Sequence, residues 1–99
     1  MDQMNEIDKV ATIILPERFQ DEKAAVAQQM IEEKIEQGCR MLVLDFSAMI
    51  YIDSSGLSVL LAVNKQVHAC GGRMVLTGLN EEVRNFFAVT YLDQIFVIE

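Results

Sequence analysis

Apolar strands alternating with amphipathic helices predict an α/β sandwich, with a mixed, mostly parallel sheet of four to five strands covered by helices. Three observations carry this. The apolar period switches between two and 3.6 along the chain. Met41-Leu42-Val43-Leu44 is a short continuous apolar run, the pattern of a strand buried on both faces. Glycines and capping residues stand at the switches: Gly38, Asp53-Ser54, Gly71-Gly72 and Asn80.

Val10-Ala11-Thr12-Ile13-Ile14-Leu15 is β-branched and apolar between Asp8-Lys9 and Pro16, so it reads as a strand. Gln3 to Ile7 is expected to pair with it as a hairpin through Asp8-Lys9. From Asp21 to Gln37, Val26, Met30, Ile31 and Ile35 recur at helical spacing, with Glu and Lys opposite, and Gly38 ends that helix as a C′ residue. After the Met41–Leu44 strand and Asp45, a loop with Tyr51 and Ile52 leads to Asp53-Ser54, which cap a helix running to about Cys70. Gly71-Gly72 closes it. Arg73 to Thr77 is the next strand, Asn80 caps a helix to about Val89, and Ile95 to Ile98 is the last strand. Each strand–helix–strand crossover is expected to be right-handed.

Ninety-nine residues make one domain, spanning 1–99. A hydrophobic fraction of 52% calls for a folded core. The net charge of −7, with only eight Lys and Arg, disfavours direct nucleic-acid binding. Cys39 and Cys70 form no ligand cluster and read as reduced thiols. No run approaches the ~20 apolar residues of a membrane span. The start, Met1-Asp2-Gln3-Met4-Asn5-Glu6, lacks the pattern of a signal peptide, so a cytoplasmic protein without membrane insertion is expected.

In open α/β sheets function gathers where strand C-termini meet helix N-termini, here the loop from Asp45 to Gly56. Asp53 and Ser54 are both competent caps for the free N–H groups of the next helix. Gly56 in the first turn costs ~1 kcal/mol of helix propensity relative to Ala, so it is either incidental to an ordinary capped helix or a place where another group approaches the backbone closely. A serine there meets the positive end of the helix dipole, and a phosphate on it would stand beside Asp53 and Asp45. The helix that follows is apolar nearly all round. Leu57, Leu60, Leu61 and Val67 define the core stripe, while Val59, Ala62, Val63 and Cys70 flank it, so a partner patch including Val59 or Val63 is an alternative to a wide core face.

Catalysis fits poorly. The only histidine, His68, follows Ser54 by 14 residues on the same helix. At 1.5 Å per residue that is ~20 Å, against ~3 Å for proton transfer, so His68 is expected at the surface. G-x-S-x-G, nucleotide-binding glycine loops and metal-ligand spacing are absent from the sequence, and no cofactor is expected. Met30, Met41, Met49 and Met74 read as core and edge filler. A receiver domain would need an acidic pair after the first strand and a lysine near the last, and neither is present.

Val43-Leu44-Asp45-Phe46-Ser47, followed by Tyr51-Ile52-Asp53-Ser54-Ser55-Gly56-Leu57, resembles the signature of STAS domains of the anti-sigma factor antagonist family. Gly71 to Leu76, Val83 to Phe87 and Tyr91 to Phe96 are similar to later segments of that family, so the resemblance spans nearly the whole chain. It implies a binding protein whose partner is an anti-sigma factor that is also a serine kinase. The phosphorylated residue would be Ser54, with Asp53, Ser55 and Gly56 completing the motif, and a separate serine phosphatase would reset it. The protein would be a monomer or weak dimer in bacterial transcription control. A constitutive STAS subunit of a lipid-transport ATPase or signalling complex is the alternative. The family's G-E-[LI]-D-like turn corresponds here to Pro16-Glu17-Arg18-Phe19-Gln20-Asp21, with either Gln20 or Asp21 in the aspartate position.

Overall fold

The computed structural model describes residues 9–99; the expected hairpin strand from Gln3 to Ile7 lies outside them. Strands β1 (Val10–Ile14), β3 (Met41–Asp45), β5 (Arg73–Thr77) and β6 (Val97–Ile98) form one sheet in the order β1-β3-β5-β6. Every described pairing is parallel, with Val10 opposite Met41, Met41 opposite Arg73 and Val75 opposite Val97. Two short strands, β2 (Arg18–Phe19) and β4 (Tyr51–Ile52), pair in parallel as a separate ribbon. The helices are α1 (Asp21–Glu36), α2 (Ser54–Ala69) and α3 (Glu81–Val89), and a 3-10 turn covers Leu92–Gln94.

Side-chain alternation assigns the core face of the sheet. Ala11, Ile13, Leu42, Leu44, Met74 and Leu76 are buried on it with Ala24, Ala27 and Ile31 of α1 and Leu60, Val63 and Val67 of α2. At the far end Phe87 of α3 meets Phe46 and Phe96 edge-on, with ring centroids 6.2 and 5.8 Å apart. β3 is buried through Leu42 and Leu44 and only half-buried through Met41 and Val43, so burial on both faces is not reached. Helix α1 also turns differently from expectation. Ala24, Ala27 and Ile31 face inward, while Val26 (55% exposed) and Met30 (46% exposed) line an open apolar cavity of about 310 Å³ with Ile13, Ile14 and Pro16. Small alanines let the helix lie close to its neighbours, so alanine rather than valine marks its packed stripe.

The glycine punctuation works as predicted. Gly38 (φ 96°) sends its N–H to Ile35 O at 3.0 Å, and Cys39 N–H reaches Lys34 O at 3.0 Å. Gly71 (φ 82°) and Gly72 repeat the pattern on His68 O and Val67 O. Both are Schellman endings, which need the left-handed conformation glycine adopts without strain. Asn80 accepts from Val83 N–H at 2.8 Å and donates to Met49 O at 3.0 Å, so it caps α3 and ties it to the loop after β3. Ile95 and Phe96 precede the last strand, which is limited to Val97–Ile98. Cys39 is buried, Cys70 and His68 are exposed, and both thiols are free. Among the described residues no helix is long and apolar enough to cross a membrane.

Candidate functional site

Because the strands run parallel in register, β1, β3 and β5 end at one edge of the sheet, and the loops leaving them lead to the starts of α1, α2 and α3. The β2–β4 ribbon lies in two of these loops. Glu17 O accepts from Ile50 N–H at 2.8 Å and Tyr51 N–H at 3.2 Å, so residues expected in an open loop become a strand. That strand delivers the chain to Asp53.

Asp53 is the N-cap of α2, in an extended conformation (φ −123°, ψ −168°). Its Oδ1 accepts from Ser55 Oγ at 2.6 Å, Ser55 N–H at 3.0 Å and Gly56 N–H at 3.3 Å. Ser55 Oγ accepts in turn from Asp21 N–H at 2.8 Å. The second serine is therefore engaged as donor and acceptor, joining the starts of α1 and α2. Ser54 is exposed at the first position of α2, and none of these bonds involves its hydroxyl. Of the two early acidic-position candidates, Asp21 is the one whose main chain meets the motif; Gln20 is the N-cap of α1 without a side-chain cap bond. Asp21 sits at φ 48°, a left-handed conformation that Asp tolerates better than most residues.

Gly56 explains itself at this point. A Cβ there would lie 2.2 Å from Phe19 O and 2.8 Å from Phe19 Cδ2. The first turn of α2 is thus pressed on the β2 backbone, the second of the two readings of that glycine. Gly56 is buried and serves packing, so it is not available to a partner. Val59 (7% exposed) and Val63 (0%) are core residues as well, which removes them from the expected partner patch. Gly56, Val59, Leu60, Val63 and Val67 share the buried face. The opposite stripe, exposed throughout, is Ser54, Ser58, Leu61, Lys65 and His68, one turn apart. Leu61, expected in the core, is 40% exposed. Leu61 is the surface residue that sequence periodicity places wrongly.

Asp45, the other expected neighbour, is committed to its own turn, with Oδ1 accepting from Ser47 N–H at 2.8 Å. Those bonds to Ser47 lower its pKa. The Ser55 hydroxyl, followed by the Gly56 and Ser55 N–H groups, holds the Asp53 carboxyl below its ordinary pKa against some desolvation. The sign follows directly. A group whose pKa is depressed on folding stabilises the fold fully above its unfolded pKa of about 3.9 and loses that contribution as pH falls through the folded value. Asp53→Asn is expected to be less stable than wild type at pH 7, with the gap closing below about pH 4. Denaturant midpoints measured from pH 7 to pH 2 check this, and a pH-independent gap contradicts it.

The chain matches the STAS domain family over residues 3–99. A curated relative, BtrV of Bordetella bronchiseptica, named as a candidate anti-sigma factor antagonist, is 30% identical over 95 residues, covering 96% of this chain and 82% of BtrV. The crystal structure of TM1081 from Thermotoga maritima, also named a candidate anti-sigma factor antagonist, superposes with a TM-score of 0.83 at 26% identity, covering 93% of this chain and 80% of TM1081. The anti-sigma factor antagonist SpoIIAA in its unphosphorylated form has the same fold, with a TM-score of 0.73 at 20% identity over 93% of this chain and 80% of that one.

Proposed function

The chain belongs to the STAS domain family, and from that premise we propose that it is an anti-sigma factor antagonist switched by phosphorylation of Ser54. It binds a cognate anti-sigma factor that is also a serine kinase, and so frees a sigma factor. The kinase phosphorylates Ser54 and the complex separates; a serine phosphatase restores the binding form. The chain works by binding rather than turnover, in the cytoplasm, and ATP belongs to the kinase. BtrV and TM1081, which bear the antagonist name, support the partner class.

One observation carries the choice of residue. Two adjacent serines differ in chemical freedom: the Ser55 hydroxyl is held at 2.6 Å by Asp53 and at 2.8 Å by Asp21 N–H, while Ser54 stands exposed at the start of α2. A kinase reaches Ser54 without breaking the joint between the helices. The docking face combines Ser54 with Ser58 and Leu61 on the exposed stripe, where Leu61 supplies apolar area beside the switch.

The test is incubation with the cognate kinase and ATP, followed by mass spectrometry of the phosphopeptide. Phosphate is expected on Ser54 alone, lost in Ser54→Ala and retained in Ser55→Ala. Phosphate on Ser55, or none, overturns the assignment. Capture of a transporter ATPase in place of a kinase would assign the chain to a constitutive binding role.

A further inference from the structure

Arg18 and Tyr51 stand opposite each other in the β2–β4 ribbon, and the next pair is Phe19 and Ile52. Phe19 is wholly buried and Ile52 packs on the core, so strand alternation turns Arg18 and Tyr51 outward. Arg18 is exposed, and its guanidinium carbon lies 4.7 Å from the centroid of the Tyr51 ring. A guanidinium placed over an aromatic ring is held there by cation–π attraction, with its N–H groups left to bond elsewhere.

Those N–H groups have no described use within the chain. Arg40 donates to Ile35 O and Cys39 O, and Arg84 to Glu99 O. Among the described residues Arg18 has no such bond and no carboxylate partner, although the chain carries fifteen acidic residues. Its place is also fixed relative to the switch, because the carbonyl of the next residue, Phe19, abuts Gly56 in the first turn of α2. A guanidinium with open N–H groups, carried on the ribbon that packs against the first turn of α2, suits a planar acceptor, a carboxylate met in forked geometry.

We propose that Arg18, braced by Tyr51, is a specificity contact of the docking face and receives an Asp or Glu carboxylate of the anti-sigma factor. The inference rests on the docking function proposed above and adds the chemistry of the partner. The donors are already set in the unphosphorylated state, the state that docks. This favours a partner carboxylate over a phosphate on Ser54 as the acceptor.

The experiment uses the kinase identified through Ser54 labelling and titrates it with unphosphorylated chain by calorimetry. Arg18→Ala is expected to weaken binding about tenfold to thirtyfold, and Arg18→Glu further. Arg18→Lys, which keeps the charge and loses the fork, should fall between wild type and Arg18→Ala. Replacing the partner's acidic residues singly by Lys should yield one variant that restores binding to Arg18→Glu. Thermal melts of all three variants are expected to match wild type, since Arg18 is exposed. Arg18→Ala binding within twofold of wild type overturns the inference, as does an effect confined to the Ser54-phosphorylated chain. Either result leaves the Ser54 assignment standing, because labelling of Ser54 identified the partner.

Discussion

Gly56→Ala is expected to destabilise the fold by about 3 kcal/mol, near the upper end of the ordinary overpacking range. Alanine brings a helix-propensity gain of about 1 kcal/mol, which opposes the effect. Contact geometry decides the sign. The new methyl would sit 2.2 Å from a main-chain oxygen, Phe19 O, and 3.1 Å from Ile52 Cγ1. A carbonyl in a paired strand cannot swing aside as the end of a long side chain can. Relief requires β2 or the first turn of α2 to move, and that movement strains the Ser55–Asp21 bond. Urea denaturation of the two proteins measures the loss, and equal stability contradicts the packing account. Kinase binding by Gly56→Ala should weaken even under conditions where the variant is folded, because Ser54 rides on the displaced turn.

The same glycine shows where the sequence had more to give than periodicity took from it. A helix apolar nearly all round cannot be phased by hydrophobicity, since several stripes serve equally well as its core face. The stripe Leu57-Leu60-Leu61-Val67 satisfies the helical period but leaves Val59 and Val63, both buried, off the core face. If Gly56 marks close approach, the buried face must contain it. Adding three, four, seven and eleven residues then gives Val59, Leu60, Val63 and Val67, the observed buried set. Leu61 falls on the other side with Ser54 and Ser58. Close approach is one of two readings the sequence allows for the glycine; the contact with Phe19 selects it and with it the rotation of the helix.

Strands and helix ends were readable because each has a local cause: β-branched runs, Asn80 and Asp53 as caps, glycines at positive φ. The β2–β4 ribbon was not, because two-residue strands have no period. Its pairing depends on Glu17 O meeting Ile50 and Tyr51 N–H, a contact between segments more than 30 residues apart. The division of labour between the serines was hidden for the same reason. Sequence names Ser54 by resemblance; what separates the serines physically is the bond from Asp21 N–H to Ser55 Oγ, which arrives from another helix. A role that depends on a bond from a distant segment, as that of Ser55 does, leaves no local pattern to read.

Ser54→Asp is expected to lower affinity for the anti-sigma factor at least about a hundredfold, equivalent to roughly 2.8 kcal/mol at 1.4 kcal/mol per decade. Ser54→Ala should stay within about threefold of wild type, since it adds no charge. In the free protein the added carboxylate faces solvent at the positive end of α2, where the dipole favours an anion by about 0.3–1 kcal/mol and offsets repulsion from Asp53. The Ser54→Asp melting temperature should therefore lie close to that of wild type. In the proposed complex the charge would enter the docking face, beside a carboxylate that the Ser55 hydroxyl and two backbone N–H groups hold below its ordinary pKa. Burying an unpaired charge there costs several kcal/mol, and phosphoserine carries more charge still, about −1.5 to −2. A fold that tolerates the anion and an interface that does not is the expected outcome, and it is the asymmetry a reversible switch requires. A Ser54→Asp variant that binds as tightly as wild type would remove the switch. One that loses affinity and melts at a much lower temperature would assign the effect to the fold instead.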